Sequence, residues 1–147
     1  GNPMIQLTLI SSLWLGVRIT ITGAIIPSLV IAVDHTEHVS TSLSVGGFPI
    51  SHGLLLRSEV DIRYTAVAEA LTPLLAAGFG VMSTLGSNDS KTIIDIHPRL
   101  GLLYRGLSGR LLSVDCELLW FPPYLNRTKL NRPFVPALNT EFLYKLR

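Results

Sequence analysis

Residues 56–64 read Leu-Arg-Ser-Glu-Val-Asp-Ile-Arg-Tyr. Successive side chains of a β-strand point to opposite faces, so Arg57, Glu59, Asp61 and Arg63 share one face and Leu56, Ser58, Val60, Ile62 and Tyr64 the other. Burying unpaired charge among apolar groups is very costly, so the ionic row must meet either water or other charges. Which of the two it meets decides the class of protein.

Composition favours burial. Only 15% of the residues are charged, 48% are hydrophobic and the mean hydropathy is +0.44, against about 25% charged in an average soluble domain. A chain of 147 residues suits one domain. A net charge of +2 without runs of like sign leaves nucleic-acid binding no electrostatic footprint. The single cysteine, Cys116, excludes an internal disulfide and any cysteine-based zinc cage, and its apolar neighbours in pattern mark it as a small hydrophobe. A membrane-spanning helix needs roughly 18 uninterrupted apolar residues. The best stretch, 13–33, is broken by Arg18, Pro27, two glycines and several hydroxyl residues. No basic stretch with a cleavage site opens the chain, so a secretory leader is expected to have been removed. Residues 1–11 are taken as an N-terminal segment, its Gly1-Asn2-Pro3 start as a cloning remnant, ahead of a single domain over 12–147.

Period-two alternation recurs along that domain. It predicts eight strands, at about 12–23, 27–34, 38–48, 54–68, 71–84, 91–105, 109–121 and 133–146. Pro27 is expected to help break the chain, and Pro98 to force a bulge or weaken its strand. The connections at 24–26, 49–53, 85–90 and 122–132 read as longer than those at 35–37, 69–70 and 106–108. An antiparallel up-and-down meander puts the first set at one end and the second at the other, the asymmetry of membrane barrels.

Two closed barrels satisfy this alternation. A soluble calycin-like barrel lines an apolar interior, suited to a lipid or another hydrophobic ligand, and shows its charged face to water. A membrane barrel does the reverse. On the polar parity stand Arg18, Arg57, Arg63, Arg99, Arg105 and Lys145 against Glu59, Asp61, Asp95, Asp115, Glu117 and Glu141, six charges of each sign. A sealed lumen needs such balance, whereas a wet exterior does not. The same parity carries Gly16, Gly78, Gly80 and Gly101, small residues that leave room for arginine side chains, and eight strands enclose just enough space for side chains to fill. Tyr64, Tyr104 and Tyr144 fall toward the short-turn end and Trp120 and Phe134 toward the other, the placement of two interfacial girdles. The expected fold is therefore an all-β, eight-stranded antiparallel barrel that crosses a membrane.

In segments such as Arg57-Ser-Glu-Val-Asp-Ile-Arg63 and Asp95-Ile-His-Pro-Arg99, and in its loop order, nearly the whole chain resembles the small eight-stranded outer-membrane barrels of Gram-negative bacteria. The resemblance implies an outer-membrane location, contact with membrane lipids, and a structural or surface-interaction role with at most a narrow pore. By the same resemblance, lipid-modifying enzymes of this size place a Ser-His-acid set on the outward surface or near its rim. Here Ser58 is outward with no outward histidine on adjacent segments, so no catalytic residue is assigned.

Of the histidines, His97 lies between Asp95 and Arg99 on the polar face and is expected to join the lumenal hydrogen bonding. His35 and His38 flank a turn with Asp34 and Glu37; no zinc spacing is matched, and neither a metal nor a cofactor is expected. Arg127, Lys129 and Arg132 in the 122–132 loop are the candidate contacts to anionic head groups or an external partner. The acceptor patterns at Asn88 and Asn126 are read as chance matches.

Overall fold

The computed structural model describes residues 12–66, 70–86, 91–106, 109–123, 126 and 134–146. Eight strands follow in order: β1 Ser12–Ile21, β2 Ile25–Asp34, β3 Val39–Ile50, β4 Gly53–Thr65, β5 Leu71–Leu85, β6 Thr92–Gly106, β7 Arg110–Trp120 and β8 Phe134–Lys145. Each pairs antiparallel with its neighbours, and β1 closes on β8 from Trp14↔Lys145 to Ile21↔Leu138. Closure gives every strand two paired neighbours and leaves no edge strand, as strands in hydrocarbon require.

The pleat sorts residues as the alternation requires. Leu15, Leu29, Leu43, Ile62, Leu75, Leu100, Val114 and Leu138 stand exposed on the outer wall. Their in-strand neighbours Gly16, Ser28, Ser44, Asp61, Ala76, Arg99, Asp115 and Asn139 point inward. Among exposed hydrophobics Leu29 and Leu100 reach 66% and 65% relative exposure, which in water would be an aggregation surface and in lipid is matched. Cys116 is free and on this outer face. Tyr64, Tyr104 and Tyr144 lie exposed at one end; at the other Trp120 stacks on Phe134 with centroids 6.3 Å apart.

The connections differ from the sequence expectation in three places, one of them the turn expected at 69–70, which spans 66–70 because β4 ends at Thr65. The connection expected at 49–53 is a two-residue turn at 51–52, because β3 and β4 stay paired out to Ile50↔Gly53. The first connection has its expected three residues but lies at 22–24 instead of 24–26, with Gly23 at φ 73° supplying the turn. The asymmetry between ends thus rests on 86–91 and 121–133. Below, the end carrying those two is the loop end and the other the turn end.

The prolines are accommodated within strands. Pro27 does not break the chain: it stands on β2 just before the first β2–β3 pair, Ser28↔Gly46, where no ladder to β3 has begun. At Pro98 the β6–β7 pairing lapses between Ile96↔Trp120 and Arg99↔Glu117 and resumes in the same register. No residue is inserted, so the missing donor costs ladder bonds but makes no bulge.

Candidate functional site

The interior is built in three layers. Arg18, Arg57, Glu59, Asp61, Arg63, Asp95, His97, Arg99, Asp115, Glu117 and Glu141 occupy the middle, all buried. β4 supplies four of them at alternate positions, and β1, β6, β7 and β8 supply the rest. β5 supplies none. It contributes Gly78 and Gly80, where a Cβ on Gly80 would stand 2.8 Å from Arg57 Nη2 and 2.9 Å from Asp95 Oδ2.

The pairs form one continuous network. Arg18 donates from Nε to Glu141 (2.7 Å) and from Nη1 to Glu59 (2.8 Å) and Ser44 (3.1 Å). Arg63 clamps Glu141 with both terminal nitrogens and donates to Ser42 (3.1 Å). Arg57 holds Asp95 in a fork (2.6 and 3.2 Å) and reaches Glu59 at 2.8 Å. Arg99 forks onto Asp115 (3.1 and 2.6 Å) and donates to Asp61 (3.0 Å). Planar fork pairing of this kind orients as well as attracts. Asn139, itself accepting from Thr20, donates to Asp115 at 2.9 Å.

His97 sits at the centre, with Nδ1 2.7 Å from Asp95 and Nε2 2.6 Å from Asp61. Ionised carboxylates only accept, so both ring nitrogens carry hydrogen and His97 adds a positive charge. Glu59, His97 and Glu117 bring ligand atoms within 4.8 Å of one another. With both imidazole nitrogens engaged by aspartates, that trio has no free nitrogen lone pair for a metal.

Two expected members fall outside the network. Lys145 shares the inward parity but is exposed at the turn end, next to Gly109. Arg105 is half-buried at the same end and donates to Thr65 (3.2 Å) instead of a carboxylate. Strand ends lie beyond the level of the central layer, so parity alone does not bring a side chain into it. The balance therefore changes from six against six to four arginines and His97 against six carboxylates. Glu117 is the least satisfied of the six: neither oxygen has a hydrogen-bond partner, and its nearest cationic atoms are His97 Nε2 at 3.5 Å and Arg99 Nε at 4.0 Å. Arg127, Lys129, Arg132 and the 1–11 segment lie outside the described residues.

The flanking layers are apolar and were not anticipated. Toward the turn end Trp14, Ala32, Leu74, Leu103, Leu111 and Leu143 pack inside the barrel, with the indole N–H of Trp14 donating to Asp34 at 2.8 Å. Toward the loop end Ile26, Leu119 and Phe121 are buried. In sequence these residues merely blur the alternation of their strands, since they are apolar on the polar parity. Asn126 was also missed. It accepts from the Ile94 N–H (2.7 Å) and donates to the Ile94 and Pro122 carbonyls (2.9 Å each), satisfying a strand edge that β7 leaves unpaired.

No family model and no curated protein matches the chain. Solved structures do. The N-terminal β-barrel domain of Pseudomonas aeruginosa OprF superposes with a TM-score of 0.68 at 15% identity, covering 90% of this chain and 97% of that one. Neisserial surface protein A gives 0.58 at 13% identity, covering 92% and 96%. Ail of Yersinia pestis, solved with the heparin analogue sucrose octasulfate, gives 0.51 at 15%, covering 92% and 97%. With a closed eight-stranded antiparallel wall, an apolar exterior and these neighbours, the chain has the fold of the small eight-stranded outer-membrane β-barrels.

Proposed function

We propose that the protein is a sealed barrel of an outer membrane that serves as a structural or surface-interaction element and does not conduct ions. The observation that carries this reading is the three-layered interior. A central ionic layer whose arginines are all bonded to carboxylates lies between two mainly apolar layers; a cavity of about 370 Å³ at the turn end reaches in to Arg63, and toward the loop end Ile26, Leu119 and Phe121 cover the ionic layer. Eight strands enclose only enough space for side chains to fill, and here the ionic side chains occupy the middle of it. Interaction is then left to the ends. The longest connection, 121–133, contains Arg127, Lys129 and Arg132, which we assign to contacts with anionic head groups or an external partner. The Ail neighbour, bound to a polysulfated sugar, is a precedent for a small barrel engaging an anionic ligand.

A soluble calycin-like barrel with an apolar interior is the second reading. The exposed outer belt and the interior charges argue against it. Two measurements test the proposal. The refolded protein should require detergent or lipid to remain monodisperse, and after insertion into planar bilayers it should give no discrete conductance steps. A stable monomer in plain buffer would overturn the membrane reading; reproducible channel steps would overturn the sealed one.

A further inference from the structure

The wall has a low point at the loop end. β1 and β2 stop pairing at Ile21↔Ile25, whereas β3 runs on with β4 to Ile50↔Gly53 and β8 runs on with β7 to Trp120↔Phe134. On one side residues 25–27 of β2 and 47–50 of β3 face each other without pairing, since their ladder begins at Ser28↔Gly46. On the other, β8 residues 134–137 extend past the last β1 pair, Ile21↔Leu138. The β1–β8 ladder thus ends four residues short of the stacked Trp120–Phe134 pair, and the hairpin tip, where the Thr22 hydroxyl donates to the Pro136 carbonyl at 3.1 Å, ends two residues short of it, about 7 Å along a strand at roughly 3.4 Å per residue. Ile21 and Ile25 at this tip are exposed, Ile25 to 64%. The notch therefore opens below the aromatic girdle, at the level of the apolar belt.

Behind the notch lies a cavity of about 290 Å³. Thr22 and Ala24 of the hairpin form its low wall; Ile26, Phe48, Met82 and Leu119 are among its sides and floor. On the opposite wall Phe121 and Pro122 are buried, and Asn126 is fastened to Ile94. On the wall outside, a groove bordered by Ile19, Pro27, Leu29 and Val45 runs in to Arg18, Ser28 and Gly46, linking the lipid-facing surface to the β2–β3 seam. The cavity is apolar, and its unpaired side faces the belt.

We propose that this vestibule takes an acyl chain of a surrounding membrane lipid, admitted sideways through the β2–β3 seam. Its volume suits a single unbranched chain of about ten methylene-sized units, at roughly 30 Å³ for a group the size of a water molecule. Near-exclusive apolar lining rejects a charged or sugar ligand, which would lose hydration without gaining partners. A bilayer lipid is favoured over a solute from above because the unpaired strand edges lie at the height of its hydrocarbon, where chains are already present. The central ionic layer forms the end of the site, so a chain that enters goes no further.

The test uses the whole refolded barrel in vesicles of phosphatidylcholine brominated at mid-chain, bromine being a short-range quencher of tryptophan. In a Trp14→Phe, Trp120→Phe, Cys116→Ser background, Ile93→Trp places the reporter inside the vestibule and Ile96→Trp places one on the lipid-facing wall. Quenching of the inner reporter comparable to that of the outer one is expected. An inner reporter that the brominated lipid leaves unquenched would overturn the proposal. Adding Ile26→Cys with Phe48→Cys and oxidising should lock the seam and abolish inner quenching, with recovery on reduction. Inner quenching that survives the locked seam would overturn lateral entry and show access from the loop end. Retention of the compact, heat-modifiable form on gels identifies the folded variants. If the double cysteine variant does not fold, Ala24→Phe at the mouth replaces it; it should reduce inner quenching, and unchanged quenching would count against the site.

Discussion

At the scale of single residues, the central layer divides into side chains whose loss leaves a buried charge short of its partner and one, Glu117, that has only the longer contacts to His97 and Arg99 and no hydrogen bond to lose. Arg99 compensates Asp115 and Asp61 at once, so Arg99→Leu leaves two carboxylates short of a partner. Breaking a buried pair in this way costs about 3–5 kcal/mol. The expected result is a large downward shift of the unfolding midpoint in denaturant, measured in lipid by tryptophan fluorescence. Glu117→Gln has the opposite logic, because Glu117 is the least satisfied carboxylate and neither oxygen is hydrogen-bonded. Its midpoint is expected to stay or rise; a loss comparable to that of Arg99→Leu would refute the charge assignment. On the outer wall, Val60 stands near the middle of β4 between Glu59 and Asp61. Val60→Arg should cost about 2–4 kcal/mol, the penalty for a cation at the bilayer midplane. Insertion unaffected by that change would mean that the two faces are reversed.

At the scale of elements, β5 and the β6–β7 ladder show how strands yield to what they enclose. Gly78 and Gly80 give up the packing a strand side chain would make so that Asp61, Arg57 and Asp95 can approach the wall. Gly80→Val should push the Arg57–Asp95 fork apart and lower stability by several kcal/mol through the same broken-pair cost. Ala77→Val, one residue from Gly78 but on the outer parity, should be nearly silent in the same denaturant titration. Pro98 is a different concession. It interrupts the β6–β7 ladder without changing register, so Pro98→Val should restore donor capacity and raise the unfolding free energy from the same titration by about 0.5–1.5 kcal/mol, the net worth of one hydrogen bond.

At the scale of the whole molecule, alternation is a local property, and it was therefore legible. The parity of residues 56–64, the number of strands and their antiparallel order follow from the pleat and short connections alone, and the structure carries all three. Polarity of the two faces was also accessible, because charge gathered on one parity beside glycine and serine demands a small enclosed space. Depth along the barrel axis was not. Arg105 and Arg99 share a strand and a parity, yet one bonds to Thr65 at the rim and the other holds two aspartates at the centre. What separates them is the stagger of neighbouring strands, which is set by closure and not by any one segment. The same stagger gathers Leu74, Leu103, Leu111 and Leu143 from four strands into one apolar layer, and it leaves the β1–β2 hairpin short of its neighbours. The sequence by itself therefore determined a two-faced eight-stranded wall and which face carries the charge, because both depend on neighbours in the chain. Only the tertiary structure decided which charges meet, which apolar side chains flank them and where strand pairing stops, because those depend on the register between strands that closure alone completes.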